Sequence, residues 1–307
     1  MERVLFPLAM FFAALALAPL LSGVVNRVKA KAAGRRGPPL LQLYYDIGKL
    51  AAKDPVYSDT ATWVFRFCPT AVLAGTLAAA ALTPFGGRGS LFSFQGDFLL
   101  WAGAFTMARV FMILAALDVG SSFEGMGGSR EAWYGALAEQ ALFLSMAVLA
   151  AISRDFSLTG FFIALTPDVT SRHFMALLFV GLALVLTALA ENARIPVDDP
   201  TTHLELTMIH EVMILDHSGP DLAMLEYASA LKLWVMGALA VGVAVPVRIG
   251  GAALDALCFL AGMFAFAVVV GAVESGMARL RLLRVPQFLV GAAAAAAIAL
   301  ILVARNF

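Results

Sequence analysis

The chain has 307 residues, 61% of them hydrophobic and 14% charged, with a formal net charge of zero. An ordinary soluble domain carries charge on about a quarter of its residues, so the composition excludes a soluble globular protein, and the neutral balance gives no field that would draw nucleic acid. Apolar runs beyond the roughly 18–20 residues needed to cross a bilayer recur along the chain, whereas barrel strands are about 10 residues of alternating polarity. The expected fold class is an all-α polytopic membrane protein, a single integral membrane domain over 1–307.

The first apolar run, Leu5 to about Val25, exceeds the roughly 7–15 residues of a signal-peptide core, and its basic cluster follows it rather than precedes it. It reads as a first membrane helix. Eight spans are expected in all, at about 3–26, 61–84, 96–118, 132–152, 172–190, 225–247, 252–273 and 285–304. Segment 156–167, FSLTGFFIALTP, is too short to cross and reads as interfacial or re-entrant.

Lys and Arg gather on one side: Arg27, Lys29, Lys31, Arg35, Arg36, Lys49, Arg130, Arg194, Arg279, Arg281 and Arg284. The opposite side has far fewer, such as Arg88, Arg154, Arg172 and Arg248. The positive-inside rule makes the first side cytoplasmic and places both termini outside. The cytoplasmic loops, 27–60, 119–131, 191–224 and 274–284, then hold nearly all the polar chemistry.

In loop 27–60 the GPP run breaks the chain, and Leu40, Leu43, Tyr44, Ile47 and Leu50 recur at helical spacing opposite Gln42, Asp46 and Lys49. That pattern predicts an amphipathic helix on the membrane surface. Arg35, Arg36 and Asp46 are placed to line an entrance or a partner contact. Loop 119–131, GSSFEGMGGSRE, lacks the lysine and the preceding strand of a P-loop; its glycines predict tight turns, with Glu124 and Arg130 as candidate contact residues. In loop 191–224, Asp199 and Pro200 read as a helix start and Gly219-Pro220 as a stop. A helix of about 18 residues is expected between them, with His203, His210 and His217 on one face and Glu205 and Asp216 nearly opposite. Residues seven apart on a helix are about 10.5 Å apart, too far for one zinc ion, and HEVMI is not H-E-x-x-H. No metal site is expected. With Cys68 and Cys258 the only cysteines, no iron–sulfur or zinc centre can be built from thiolates here.

Ionisable residues at membrane depth are costly and mark function by default. Glu139 lies about 10 Å into its span by helical rise. Glu191 ends the fifth span, Glu226 begins the sixth with Lys232 beyond it, Glu274 ends the seventh, and Arg109 sits inside the third. All four carboxylates fall in the cytoplasmic half, the arrangement expected of a path for protons between buried carboxylates.

ENARIPVDDP, at the end of a span, resembles the E-x-N-R-x-P-F-D-x-P-E segment of the respiratory complex I subunit 1 family, the quinone-site membrane subunit; Glu191, Arg194, Pro196, Asp198 and Pro200 carry the match. GPPLLQLYYDIGKL is similar to that family's segment after its first helix, at Gly37, Pro38, Gln42, Asp46, Lys49 and Leu50, and LEYAS at 225–229 resembles A-E-Y-A-N. The family's G-P-N-R-x-G-P run is absent. DPTTHLELTMIHEVMILDHSGPDLA, together with ESGMARLRLLRVP, is similar instead to the corresponding subunit of energy-converting group 4 [NiFe]-hydrogenases of the formate hydrogenlyase type. This resemblance implies a long tilted first helix and docking beneath a hydrogenase module. It further implies a coupling role between redox chemistry there and proton or sodium movement in antiporter-like neighbours.

The implied partners are the hydrogenase large and small subunits, an iron–sulfur protein, antiporter-like membrane subunits and the lipid bilayer of a prokaryotic cytoplasmic membrane, with no nucleic acid. The chain itself would carry no cofactor and no catalytic triad; nickel–iron and iron–sulfur centres would sit on partner subunits. Glu211, Arg279 and Arg281 join Arg35, Arg36, Asp46, Lys49, Glu124, Arg130, Arg194, Asp198, Asp199, His203, Glu205, His210 and Asp216 as the expected docking and coupling set. A quinone-site subunit of an NADH:quinone oxidoreductase is the alternative. A stand-alone secondary transporter is a third reading, against which stands the absence of a visible inverted repeat.

Overall fold

The computed structural model describes residues 2–198, 208–245 and 251–305, with backbone alone for 2–4. The described residues are helices and connections without a strand: α1 (Glu2–Ala32), α2 (Gln42–Ala51), α3 (Trp63–Leu82), α4 (Asp97–Asp118), α5 (Ser122–Ser153), α6 (Leu158–Ala164), α7 (Pro167–Arg172), α8 (Phe174–Glu191), α9 (Gly219–Ala244), α10 (Ala252–Gly276) and α11 (Val285–Ala304). Eight of these, α1, α3, α4, α5, α8, α9, α10 and α11, are long and apolar enough to cross a membrane. A backbone that must satisfy its own polar groups in lipid has few alternatives to the helix.

The bundle is built around α9. In its most apolar stretch 72% of residues are buried, against 33–50% in the other spans. It touches α1, α2, α3, α8 and α10, so apolar side chains on every face of the helix find partners, among them Leu231, Leu233, Trp234, Val235 and Leu239. Around it, α3 pairs with α4, α1 with α10, and α11 with both α5 and α8. At 31 residues, α1 is about 46 Å long by helical rise, well beyond the roughly 30 Å of hydrocarbon.

The two ends of the bundle are stitched differently. At the end carrying α2, here the loop end, the Asp118 carboxylate accepts from the Thr62 amide (2.7 Å) and hydroxyl (2.8 Å), which locks the start of α3 to the end of α4. At the opposite end the stitches join segments distant in the chain. Asp97 accepts from the Leu158 amide (2.6 Å), and Arg88 Nε donates to Asp255 (2.7 Å).

Two sequence expectations fail at the loop end, for a shared reason. The glycine-rich segment 119–131 is not a turn region: α5 begins at Ser122 and runs 32 residues. Glycine costs a helix about 1 kcal/mol relative to alanine, but a Cβ on Gly127 would stand 2.2 Å from Val212 Cγ1 and 3.0 Å from the Ile209 carbonyl. The missing side chain lets another segment lie against the helix. That segment is the second half of the expected surface helix. Within the described part, 208–218, only a 3-10 turn at Glu211–Ile214 forms. Met208, Ile209, Val212, Met213, Ile214 and His217 are all buried. No single helical face carries these positions, so burial overrides the periodicity and folds the segment onto α5 and α4. Asp199, His203 and Glu205 lie outside the described residues.

Candidate functional site

Arg109, nine residues before the end of α4, collects three carboxylates. Its Nη1 is 2.5 Å from Glu139 Oε1, its Nη2 2.5 Å from Glu191 Oε1, and its Nε 3.3 Å from Glu131 Oε1. Glu191 also has Lys232 Nζ 2.8 Å from its second oxygen. Glu139 takes a further hydrogen bond from Thr106 (2.8 Å). Four spans thus meet in one charge cluster: α4 supplies Arg109, α5 supplies Glu131 and Glu139, α8 supplies Glu191, and α9 supplies Lys232, which joins through Glu191. Gly135 leaves room for this convergence, since a Cβ there would lie 2.6 Å from Arg109 Cζ and Nε. Three carboxylates face two cations. Buried charges persist only when paired and hydrogen-bonded, and here the carboxylates outnumber the cations that pair with them by one.

This cluster lines a chamber with a mixed wall. Phe105, Met112, Met213 and Leu225 supply apolar surface, while Arg109, Glu131, Glu191, Asn192, His210 and Lys232 supply the polar side. A second cavity lies under α2, between it, α1 and α9. Its polar wall holds Gln42, Asp46, Arg194, Glu211 and Glu226. Asn192, His210 and Ser229 line both cavities. Glu226 and Glu211 form no ion pair within 4 Å among the described residues. Burial, reinforced by the neighbouring Glu226 and Asp198 carboxylates and only partly opposed by Arg194, pushes Glu211 up to about 7. Like charges held close cannot all ionise.

Other ion pairs brace the loop end. Glu274 on α10 is held by Lys29 (2.8 Å) and Arg194 (3.5 Å). Asp198, fully buried, pairs with Arg279 (2.8 Å) and accepts from the amides of Ile209 (2.9 Å) and His210 (3.3 Å). Arg194 and Asp198, two residues before and two after Pro196, therefore point to different partners, Glu274 and Arg279, and fix how the chain leaves α8. Among the described residues no three His, Cys, Asp or Glu side chains converge as a metal ion requires.

Residues 5–305 match the family model described as NADH dehydrogenase. The chain belongs to that family. This NADH dehydrogenase-family chain is 32% identical over 290 residues to formate hydrogenlyase subunit 4 of Escherichia coli (strain K12), an alignment covering 91% of the chain and 92% of the relative. It is also 32% identical over 245 residues to hydrogenase-4 component C of the same organism, covering 79% and 76%. Its fold matches a chain in the structure of the membrane-bound sulfane sulfur reductase, an archaeal respiratory membrane complex. That match has a TM-score of 0.83 at 19% identity and covers 99% and 100% of the two chains.

Within this family member the expected site residues divide by depth. Arg109, Glu139, Glu191 and Lys232 form one cluster, and Asp46, Arg194, Glu211 and Glu226 line the adjoining cavity, with His210 between. Arg35, Arg36, Lys49, Asp216 and Arg281 are exposed. Glu124, expected on a contact loop, is buried and accepts the Asp216 amide (3.2 Å), while Arg130 donates to the Met208 carbonyl (2.9 Å). Both tie 208–216 down instead of standing in water. Sequence reasoning missed Glu131 and Lys29. Glu131, Gly135 and Glu139 fall at i, i+4 and i+8, a single helical stripe that becomes visible only once α5 is extended back to Ser122.

Proposed function

We propose that this chain is the membrane-anchor and coupling subunit of a complex I-like energy-converting hydrogenase. Its loop end faces the cytoplasm of a prokaryotic cell and holds a [NiFe]/iron–sulfur module; its charged chamber links redox events in that module to proton, or sodium, movement through antiporter-like neighbours. The nickel–iron centre and the clusters belong to the partners in this reading, and both termini lie outside. Similarity to formate hydrogenlyase subunit 4 across nine-tenths of both chains supports the assignment. The excess of basic loop residues on the α2 side supports the orientation.

The carrying observation is the guanidinium of Arg109 shared by Glu131, Glu139 and Glu191. A proton delivered to one carboxylate releases its hold on Arg109, and the guanidinium then favours the other two. Charge movement in the chamber and proton arrival from the loop end are thereby the same event. Breaking a buried pair costs about 3–5 kcal/mol. Moving one charge across a membrane potential costs about 2.3 kcal/mol per 100 mV. The two scales match, so rearranging these pairs can store the energy that translocation needs.

Purifying the complex from native membranes through a tag on this chain tests the assignment. Nickel, iron and hydrogen-evolving activity co-purify if it holds. The second cavity, open between α1, α2 and α9 with Pro38, Pro39 and Leu43 on its rim, favours a quinone-site subunit as the second reading. A nickel-free complex inhibited by quinone analogues supports that reading and removes the hydrogenase one.

A further inference from the structure

We propose that His210 is the relay that passes protons between the cavity under α2 and the Arg109 chamber. The proposal rests on the coupling function above and adds to it the group through which the proton enters.

His210 is the titratable side chain that lines both cavities; the two other residues shared by them, Asn192 and Ser229, do not titrate near neutrality. The groups on either side are of opposite use. Under α2 stand Asp46, Glu211 and Glu226, with Arg194 beside them, reached from the loop end. In the chamber stand Glu131, Glu191, Arg109 and Lys232. A proton moving from the first set to the second must pass the seam, and imidazole can accept at one nitrogen while donating from the other.

The backbone holds the ring in place and leaves it free to react. The His210 amide is anchored on Asp198 (3.3 Å), itself clamped by Arg279. Among the described residues the ring makes no hydrogen bond and no ion pair, so neither nitrogen is committed. Asn192 at the same seam donates from Nδ2 to the Ala188 carbonyl (2.8 Å) and leaves Oδ1 without a partner among the described residues. It is a buried acceptor on a residue that shares both cavity walls with His210.

The titration of the neighbours fits. Burial lowers His210 below the ordinary histidine value, while Glu131, Asp198 and Glu191 pull it back and Lys232 lowers it further. The imidazole is therefore neutral at rest, and holds a proton only in passing on its way to the chamber carboxylates. Glu211, the next residue on the α2 side, sits at about 7 and can give a proton up near neutral pH.

The test uses the intact complex in sealed inverted vesicles and reads ions moved per hydrogen evolved. His210→Gln keeps the approximate size of the side chain and cannot titrate; a positioned acid–base group contributes about 10²–10⁴-fold to the rate of its step, and the ratio is expected to fall at least about tenfold. His210→Ala is expected to fall likewise and to recover when imidazole is added, which a structural role would not allow. A wild-type ratio in His210→Gln, or loss in His210→Ala that imidazole does not restore, overturns the relay. Glu139→Gln in the same preparation separates the levels. If it loses coupling while His210→Gln does not, the relay alone falls. If both couple normally, the coupling function falls with it.

Discussion

Gly135 lies under the guanidinium of Arg109, so close that a Cβ at that position would stand 2.6 Å from Arg109 Cζ. A residue with no side chain is thus part of an ionic site. Arg109 cannot step aside, because Glu131, Glu139 and Glu191 pin it from three directions. Gly135→Ala is expected to displace the guanidinium and weaken at least one of the pairs. Overpacking costs about 1–3 kcal/mol and outweighs the ~1 kcal/mol of helix propensity that alanine gains. A lower melting temperature of the purified protein, together with a reduced coupling ratio, checks it; a more stable protein with full coupling contradicts it.

The three carboxylates should differ in what their loss costs. Glu191 is 3% exposed at its side chain and holds two cations, whereas Glu139 is 26% exposed and holds one. Removing Glu191 leaves Lys232 without its carboxylate and takes one of three from Arg109, and leaving a buried charge unpaired costs about 3–5 kcal/mol. Glu191→Gln is therefore expected to unfold at a clearly lower temperature than Glu139→Gln. Equal melting temperatures would mean that the two cations find other partners.

His217 gives the protein an acid-sensitive joint. Its ring stacks on Phe65 at 3.9 Å with 5° between planes, is buried, and has no hydrogen-bond partner at either nitrogen among the described residues. Burial holds it down at about 4. Below the ordinary value of 6.5 the unfolded chain binds a proton that the folded one refuses, so stability falls as pH drops from about 6.5 to 4, at up to about 1.4 kcal/mol per pH unit. His217→Phe keeps a flat ring against Phe65 and removes the titration. Thermal unfolding of the two proteins at stepped pH should converge near neutrality and separate below pH 6.5, with the variant the more stable.

Glu211 has the opposite sign. Its carboxyl is held up at about 7 by burial and by Glu226 and Asp198. Between the ordinary carboxylate value and 7 the folded state binds the extra proton, so stability falls as pH rises through that window and levels off above it. Glu211→Gln should gain on the wild type as pH is raised from 4.5 to 7 and hold a constant advantage beyond. A melting-temperature difference independent of pH would show that Glu211 is ionised throughout.

The spans were legible in the sequence because lipid leaves a chain few ways to satisfy its backbone, and long apolar runs report that constraint directly. The membrane-depth charges Arg109, Glu139, Glu191 and Lys232 were legible one by one for the same reason, since each is expensive where it stands. Their assembly on one guanidinium was not, because it depends on which spans pack together, and periodicity says nothing of that. The errors sit where tertiary contact overrides local preference. Gly127 and its neighbours look like turn residues yet lie in α5, because Val212 packs against the bare backbone. The segment from Met208 to His217 has helix-like spacing yet folds inward, because its apolar side chains bury on more than one side. Glu131 was hidden by the first of these errors, and the chamber wall formed by His210 and Met213 by the second.

The most direct measurement of the coupling function is the number of ions moved per hydrogen evolved by the intact complex in sealed vesicles, wild type against Glu139→Gln. Glu139 is the least buried of the three carboxylates on Arg109 by the exposures of its side chain and those of Glu131 and Glu191, so its loss disturbs the fold least. The assembled variant complex is expected to move at least about tenfold fewer ions per turnover, since one carrier of the path is gone. An unchanged ratio in a fully assembled complex would contradict it and remove the Arg109 chamber from ion translocation.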